Sequence, residues 1–137
     1  MKKLILLLLF AVVLTACKKT NSTNAISGKW QLMRITVSHD IRAITNTDTS
    51  YNNKNYYIQF NNNSKGTKAV TLFPGDSFAN MNFTYSLSGS NLSGSFNQGA
   101  NVSSFEVSGP NLIIHTTSSA GTGLGNSYTD CYFANAQ

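Results

Sequence analysis

The sequence predicts an all-β protein, an up-and-down antiparallel meander of about eight strands closed into a barrel. Three observations support this. Apolar residues recur with a period of two, not 3.6, through most of the chain after Ile26. Residues suited to tight turns fall between the alternating stretches. The segment Ser88-Gly89-Ser90-Asn91-Leu92 recurs as Ser108-Gly109-Pro110-Asn111-Leu112, 20 residues later, the interval that one strand out and one strand back would give. A meander of that length has two exposed edges that invite aggregation, and closure into a barrel removes them.

The elements follow in chain order. Trp30, Leu32 and Thr36 alternate with Met33, Ile35 and Val37 in the first strand. Tyr56, Ile58 and Phe60 alternate with Tyr57 and Gln59. A weaker strand is expected over Lys68–Phe73. Met81, Phe83, Tyr85 and Leu87 alternate with Asn82, Thr84, Ser86 and Ser88, the cleanest half-buried pattern in the chain. Leu92 and Phe96 flank Gly94, and Phe105 and Val107 alternate with Ser104 and Glu106. Leu112-Ile113-Ile114 is a short continuous apolar run, and Tyr128 and Tyr132 alternate with Thr129, Cys131 and Phe133. β-Branched and aromatic side chains dominate these stretches, as pleated half-buried surfaces prefer. Between them, Asn61–Gly66 offers residues tolerant of positive φ, Phe73-Pro74-Gly75-Asp76 reads as a type II turn, and Gly121, Gly123 and Gly125 mark a loop. Only Asp40–Thr49, with Ile41 and Ile44 three apart, has the spacing of a helical turn.

Ahead of the alternating region lies a different kind of segment. Lys2 and Lys3 precede an unbroken apolar run from Leu4 to Leu14, then Thr15-Ala16-Cys17. This is the layout of a secretory signal, and the run is shorter than the roughly 20 residues a membrane span needs. Leu14-Thr15-Ala16-Cys17 resembles the lipobox of bacterial lipoproteins, which implies that Cys17 is acylated and becomes the mature N-terminus. The expected organisation is a lipoprotein signal peptide at 1–16, a lipidated flexible tether at 17–26 and a barrel domain at 27–137. Acyl chains on Cys17 would hold the protein to a membrane. Lys18 is not the acidic residue that resembles an inner-membrane retention signal. The expected location is therefore the bacterial cell envelope, at the outer membrane and facing the periplasm.

The formal charge of +5 from ten basic and five acidic residues overstates the basicity of the domain. Lys2, Lys3, Lys18 and Lys19 all precede it, which leaves the barrel nearly neutral and gives no support for nucleic acid as a partner. With Cys17 lipidated, Cys131 is the remaining thiol. No internal disulfide can form, and a small buried core residue is expected there.

Gly28-Lys29-Trp30 opens the first strand, Tyr57-Ile58-Gln59-Phe60-Asn61-Asn62-Asn63 opens a hairpin, and Tyr85-Ser86-Leu87-Ser88-Gly89-Ser90-Asn91-Leu92 forms another. Together these resemble the lipocalin superfamily, and most closely the small lipocalin-like domains of bacterial lipoproteins, over roughly Ser27–Phe133. The resemblance implies an eight-stranded barrel whose interior is filled by its own side chains or holds one small ligand. Trp30 would plug the closed end. Two departures matter: the glycine of the first hairpin falls late, at Gly66, and no arginine follows Arg42 to pack over the tryptophan. Arg34 is the candidate substitute across the barrel base.

Catalytic and metal chemistry find little footing. His39 and His115 stand far apart, with no His-x-His or Cys-x-x-Cys pair to assemble a metal site. Leu92-Ser93-Gly94-Ser95 lies in a strand and is no nucleophile elbow. Asp130 is interior to the last strand, where a hydrogen bond to a neighbouring strand is expected. Gly121-Thr122-Gly123-Leu124-Gly125 lacks the following helix and lysine of a phosphate loop. No enzyme activity, cofactor or metal is therefore expected. The leading expectation is a small apolar or amphipathic ligand held by Trp30, Tyr56, Ile58, Phe60, Phe83, Tyr85 and Phe105. The alternative is a protein-interaction module, for example a periplasmic enzyme inhibitor or envelope-assembly partner, since small lipid-anchored barrels also resemble bacterial lysozyme inhibitors. Its determinants would then lie in loops at Asp40–Lys54 or Ser118–Asn126.

Overall fold

Strand β1, Gly28–His39, is the seam of the molecule in the computed structural model, which describes residues 25–40, 46–72, 76–95, 102–119 and 125–136. Along one edge it pairs antiparallel with the last strand of the chain, from Trp30↔Asn135 to His39↔Ser127. Along the other edge it pairs first with Thr47–Ser50 (β2) and then with Tyr57–Phe60 (β3). Between those two segments the ladder continues: the Tyr51 N–H donates to Met33 O at 2.8 Å and the Leu32 N–H to Tyr56 O at 2.9 Å. β2 and β3 are therefore one strand from which Asn52–Asn55 loops out.

The remaining strands are Lys65–Lys68 (β4), Met81–Ser88 (β5), Asn91–Gly94 (β6), Val102–Ser108 (β7), Asn111–Ser119 (β8) and Asn126–Asn135 (β9). Each pairs antiparallel with the next, and β9 returns to β1. The nine segments thus close an eight-strand, all-β meander with an extra strand segment, as the alternation and the repeat predict. Both copies of the repeat are tight hairpins. Gly89 (φ 62°) and Gly109 (φ 57°) take the left-handed position while Ser90 and Pro110 do not, the pattern of a type II′ turn, whose twist suits the flanking strands. The Asn61–Gly66 turn also forms, with Ser64 at φ 60° and the Asn61 N–H bonded to Lys65 O at 2.8 Å.

Two expectations need correction. Ile35 does not lie opposite Trp30 and Leu32. A bulge between Leu32 and Arg34 inserts Met33 as an extra residue, which flips the phase, so Trp30, Leu32 and Ile35 all face the core. The strand expected at Lys68–Phe73 is displaced: β4 ends at Lys68. The apolar residues beyond it are buried for another reason. After the Ala69 N–H donates to Tyr57 O, the chain turns inward and fully buries Val70 and Leu72. The Thr71 carbonyl then accepts the Cys131 S–H of β9 at 3.5 Å, so the segment crosses the lumen. Of the stretch Asp40–Thr49, Thr47–Thr49 pairs with β1 as part of β2, and Ile41 and Ile44 lie outside the described residues.

The lipobox, the signal peptide, most of the tether and Phe73-Pro74-Gly75 lie outside the described residues, as do Phe96, Gly121 and Gly123. Ile26 is fully buried, and its carbonyl accepts the Trp30 Nε1–H at 2.8 Å. The indole closes the end of the barrel from which the N-terminal segment leaves. We call that end the base and the opposite end the mouth.

Candidate functional site

The barrel interior is built in tiers, because residues paired across antiparallel strands share a face and a height. Four tiers run across β1, β9, β8 and β7. Nearest the base, Leu32, Phe133, Leu112 and Val107 stand side by side. Above them are Ile35, Cys131, Ile114 and Phe105. The next tier is Val37, Thr129, Thr116 and Ser103, and at the mouth stand His39, Ser127 and Ser118. Tier by tier the lining changes from aliphatic and aromatic to hydroxyl.

The lower half is packed solid. Phe60, Phe83 and Tyr85 form an aromatic trio with ring centroids 5.6, 5.0 and 6.2 Å apart, the edge-on and tilted geometry that ring quadrupoles favour. The Tyr85 hydroxyl donates to Asn61 O at 2.6 Å. Gly66 is opposite both Phe60 and Phe83 in register, and a Cβ there would collide with the Gln59 carbonyl and the Phe83 ring. That explains the glycine's late place in the hairpin. Burial pushes the Cys131 thiol well above its ordinary value of 9.0, with Asp130 and Asp76 adding to the shift. The thiol is a small core group, as expected.

The upper half is different. Ser103, Thr116, Ser118, Ser127 and Thr129 are all buried, and among the described residues Thr116 Oγ1, Ser127 Oγ, Thr129 Oγ1 and His39 Nδ1 have no hydrogen-bond partner. Below them, near Cys131, lies a buried ion pair. Lys68 is fully buried, and its Nζ reaches Asp76 Oδ2 at 2.5 Å and Val70 O at 3.2 Å. The same carboxylate oxygen accepts the Leu72 N–H at 2.9 Å. The pair pins the segment that crosses the lumen, and its charges are satisfied internally. The side chains of the upper tiers are thus hydroxyls and an imidazole, with the Ala69–Leu72 crossing below them.

The sequence-predicted site residues divide accordingly. Trp30, Ile58, Phe60, Phe83, Tyr85 and Phe105 are all core, none more than 7% exposed. Tyr56 is half-buried and packs with Tyr51 and Phe78, with centroids 5.7 and 4.7 Å away. The structure brings the first six together at and below the level of Cys131, and places Tyr56 at their margin. Sequence reasoning missed Thr116, Ser118, Ser127, Thr129 and Lys68. One signal was available: Thr116 and Ser118 continue the parity of Leu112 and Ile114.

The outer wall holds the other polar contacts. Asp130 accepts the Nδ1–H of His115 at 2.8 Å across the β8–β9 ladder, the strand-to-strand bond expected of it, and Glu106 lies 3.8 Å from His115 Nε2. Arg34 does not cover Trp30. Its side chain is 47% exposed, forms a two-point contact with Asp48 at 2.8 and 2.6 Å, and lies over Tyr132. The bulge at Met33 turns it outward. A cleft of about 450 Å³ lies along β4 and β5, lined by Asn61, Lys65, Thr67, Asn82 and Thr84 among others. A second, of about 270 Å³, lies at the base. Among the described residues no group of three His, Cys, Asp or Glu side chains is placed to hold a metal ion.

A closed antiparallel meander of eight strands, with its base plugged by the tryptophan of an opening Gly-x-Trp, defines a lipocalin-like β-barrel. The family comparison agrees: the model of the lipocalin-like domain matches residues 26–114, and the chain belongs to that family. The match covers β1 through β7 and the first four residues of β8, and the closing strand β9 lies beyond it. No curated protein and no solved structure matches the chain.

Proposed function

We propose that this protein is a lipid-anchored binding module of the bacterial cell envelope that holds one small amphipathic molecule in the mouth half of its barrel, without covalent chemistry. The family supports small-ligand binding, and barrels of this size have room for one small ligand at most. The observation that carries the reading is the set of four unpartnered polar atoms on His39, Thr116, Ser127 and Thr129. A buried polar group left unpaired costs about 1–3 kcal/mol. Apolar side chains of similar size would avoid that cost, so a hydroxyl lining is retained for something it can bond. The floor of Val70 and Leu72 is apolar. An amphipathic guest would seat its apolar part there and turn its hydrogen-bonding groups to the hydroxyl tiers.

The anchor rests on Leu14-Thr15-Ala16-Cys17. Acylated Cys17 would keep the protein at the membrane, with the outer membrane facing the periplasm as the proposed address. Native mass spectrometry of protein purified from its own envelope in mild detergent tests both parts. The expected spectrum shows the acyl mass on Cys17 and a further non-covalent mass that organic solvent removes. A spectrum of acylated polypeptide alone would overturn the ligand, and an unmodified N-terminus would overturn the anchor.

A further inference from the structure

The charges of the barrel are sorted along its axis. Lys29 opens β1, Lys65 opens β4 at the base hairpin, and Lys54 stands in the looped-out segment. Lys29 and Lys54 meet at the base cleft, which is also lined by Gln31, Asn135 and Ala136. All three lysines are exposed, and among the described residues none forms an ion pair. Lys29 instead rests over the Tyr57 ring, 4.2 Å from its centroid.

The carboxylates lie elsewhere and are engaged. Asp48 holds Arg34 and Asp76 holds Lys68. Asp130 holds His115, with Glu106 beside the same ring, and Asp40 accepts the Asn126 N–H at the mouth. The base is thus the end with free positive charge. It is also the end from which the N-terminal segment leaves, since Ile26 packs against Trp30 there. Only the eight residues Lys18–Ala25 separate Cys17 from that point in the sequence.

We propose that the base of the barrel is a membrane-facing surface: Lys29, Lys54 and Lys65 seat against anionic phospholipid headgroups and turn the mouth toward the aqueous compartment. This rests on the reading of Cys17 as a lipid anchor, which places the base near a bilayer. Each lysine close to an anionic surface shifts an equilibrium about fivefold, so the three on the barrel together favour this orientation on the order of a hundredfold. The interaction is screened beyond about 8–10 Å in salt, and a short tether keeps the base near that range. A mouth turned away from the membrane also admits its guest from water.

Footprinting of the acylated protein tests the orientation, in vesicles of phosphatidylcholine alone and of phosphatidylcholine with phosphatidylglycerol. Hydroxyl-radical oxidation is read at Tyr57, over whose ring Lys29 lies, and at Tyr128, which is 38% exposed and pairs with Ser38 near the mouth. The expected result is that phosphatidylglycerol slows oxidation of Tyr57 about fivefold or more and leaves Tyr128 unchanged. The K29Q/K54Q/K65Q variant should lose that protection, keep its thermal midpoint and stay on the vesicles. Equal oxidation of Tyr57 in both vesicles would overturn the proposal, and so would protection at Tyr128. The mass of the N-terminal peptide reports acylation separately, so failure of the anchor and failure of the orientation are told apart.

Discussion

The two halves of this barrel share strands but not chemistry. On β9, Phe133 and Cys131 face Leu112 and Ile114 below, while Thr129 and Ser127 face Thr116 and Ser118 above. The β8–β9 ladder is regular throughout, so the fold places no demand on the upper lining that aliphatic side chains would not meet. The lower half is what closes the barrel. The upper half gives up packing energy and keeps hydroxyls. A wall that could have been apolar and is not is the region proposed to hold the ligand.

Substitutions that probe each half should differ in size and in sign. The largest loss is expected in the base. Phe133 is 2% exposed among Leu32 and Leu112, and F133A should cost about 3–5 kcal/mol by denaturant unfolding. A similar loss is expected from D76A, which strands a fully buried ammonium at about 3–5 kcal/mol. The double change K68M/D76L should recover most of it. If it does, the ion pair is a fastener for the Ala69–Leu72 crossing and no part of the binding surface.

In the hydroxyl tiers the sign reverses. T116V and T129V each remove an unpartnered oxygen and keep the shape, so each should stabilise the empty protein by about 1 kcal/mol while weakening retention of the co-purifying molecule. Destabilisation by both would show that the hydroxyls serve the fold, and the contrast between the halves would fail. The smallest effect concerns the outer wall. Hydrogen bonding to Arg34 holds the Asp48 carboxyl below its ordinary value of 3.8. A depressed carboxylate adds stability above that value and loses it as pH falls further. D48N should therefore lower the thermal midpoint slightly near neutrality and not at all well below 3.8; the pair is exposed and contributes little.

The base half was legible in the sequence because apolar residues there contrast with polar neighbours. Phe83 and Tyr85 among Asn82, Thr84 and Ser86 can be read only one way. The mouth half offers no such contrast: in His115-Thr116-Thr117-Ser118 both faces are polar, and only the parity inherited from Leu112 and Ile114 says which points inward. Two further features hid for physical reasons. A bulge costs one residue and leaves no compositional mark, so the turnover at Met33 misplaced Ile35. The apolar run after Lys68 has the composition of a strand, and its burial comes from crossing the lumen. The inward lysine could not be read without Asp76, eight residues on.

Amide hydrogen exchange by mass spectrometry, on protein as isolated from the envelope and on the same protein unfolded, stripped and refolded, compares the halves within one molecule. Slower exchange in the isolated sample across the peptides holding Thr116–Ser118 and Ser127–Thr129, with no change in those holding Ile58–Phe60 and Leu112–Ile114, is the predicted result. Identical exchange in the two samples, or a difference confined to the base, would contradict the assignment of the mouth half as the binding region.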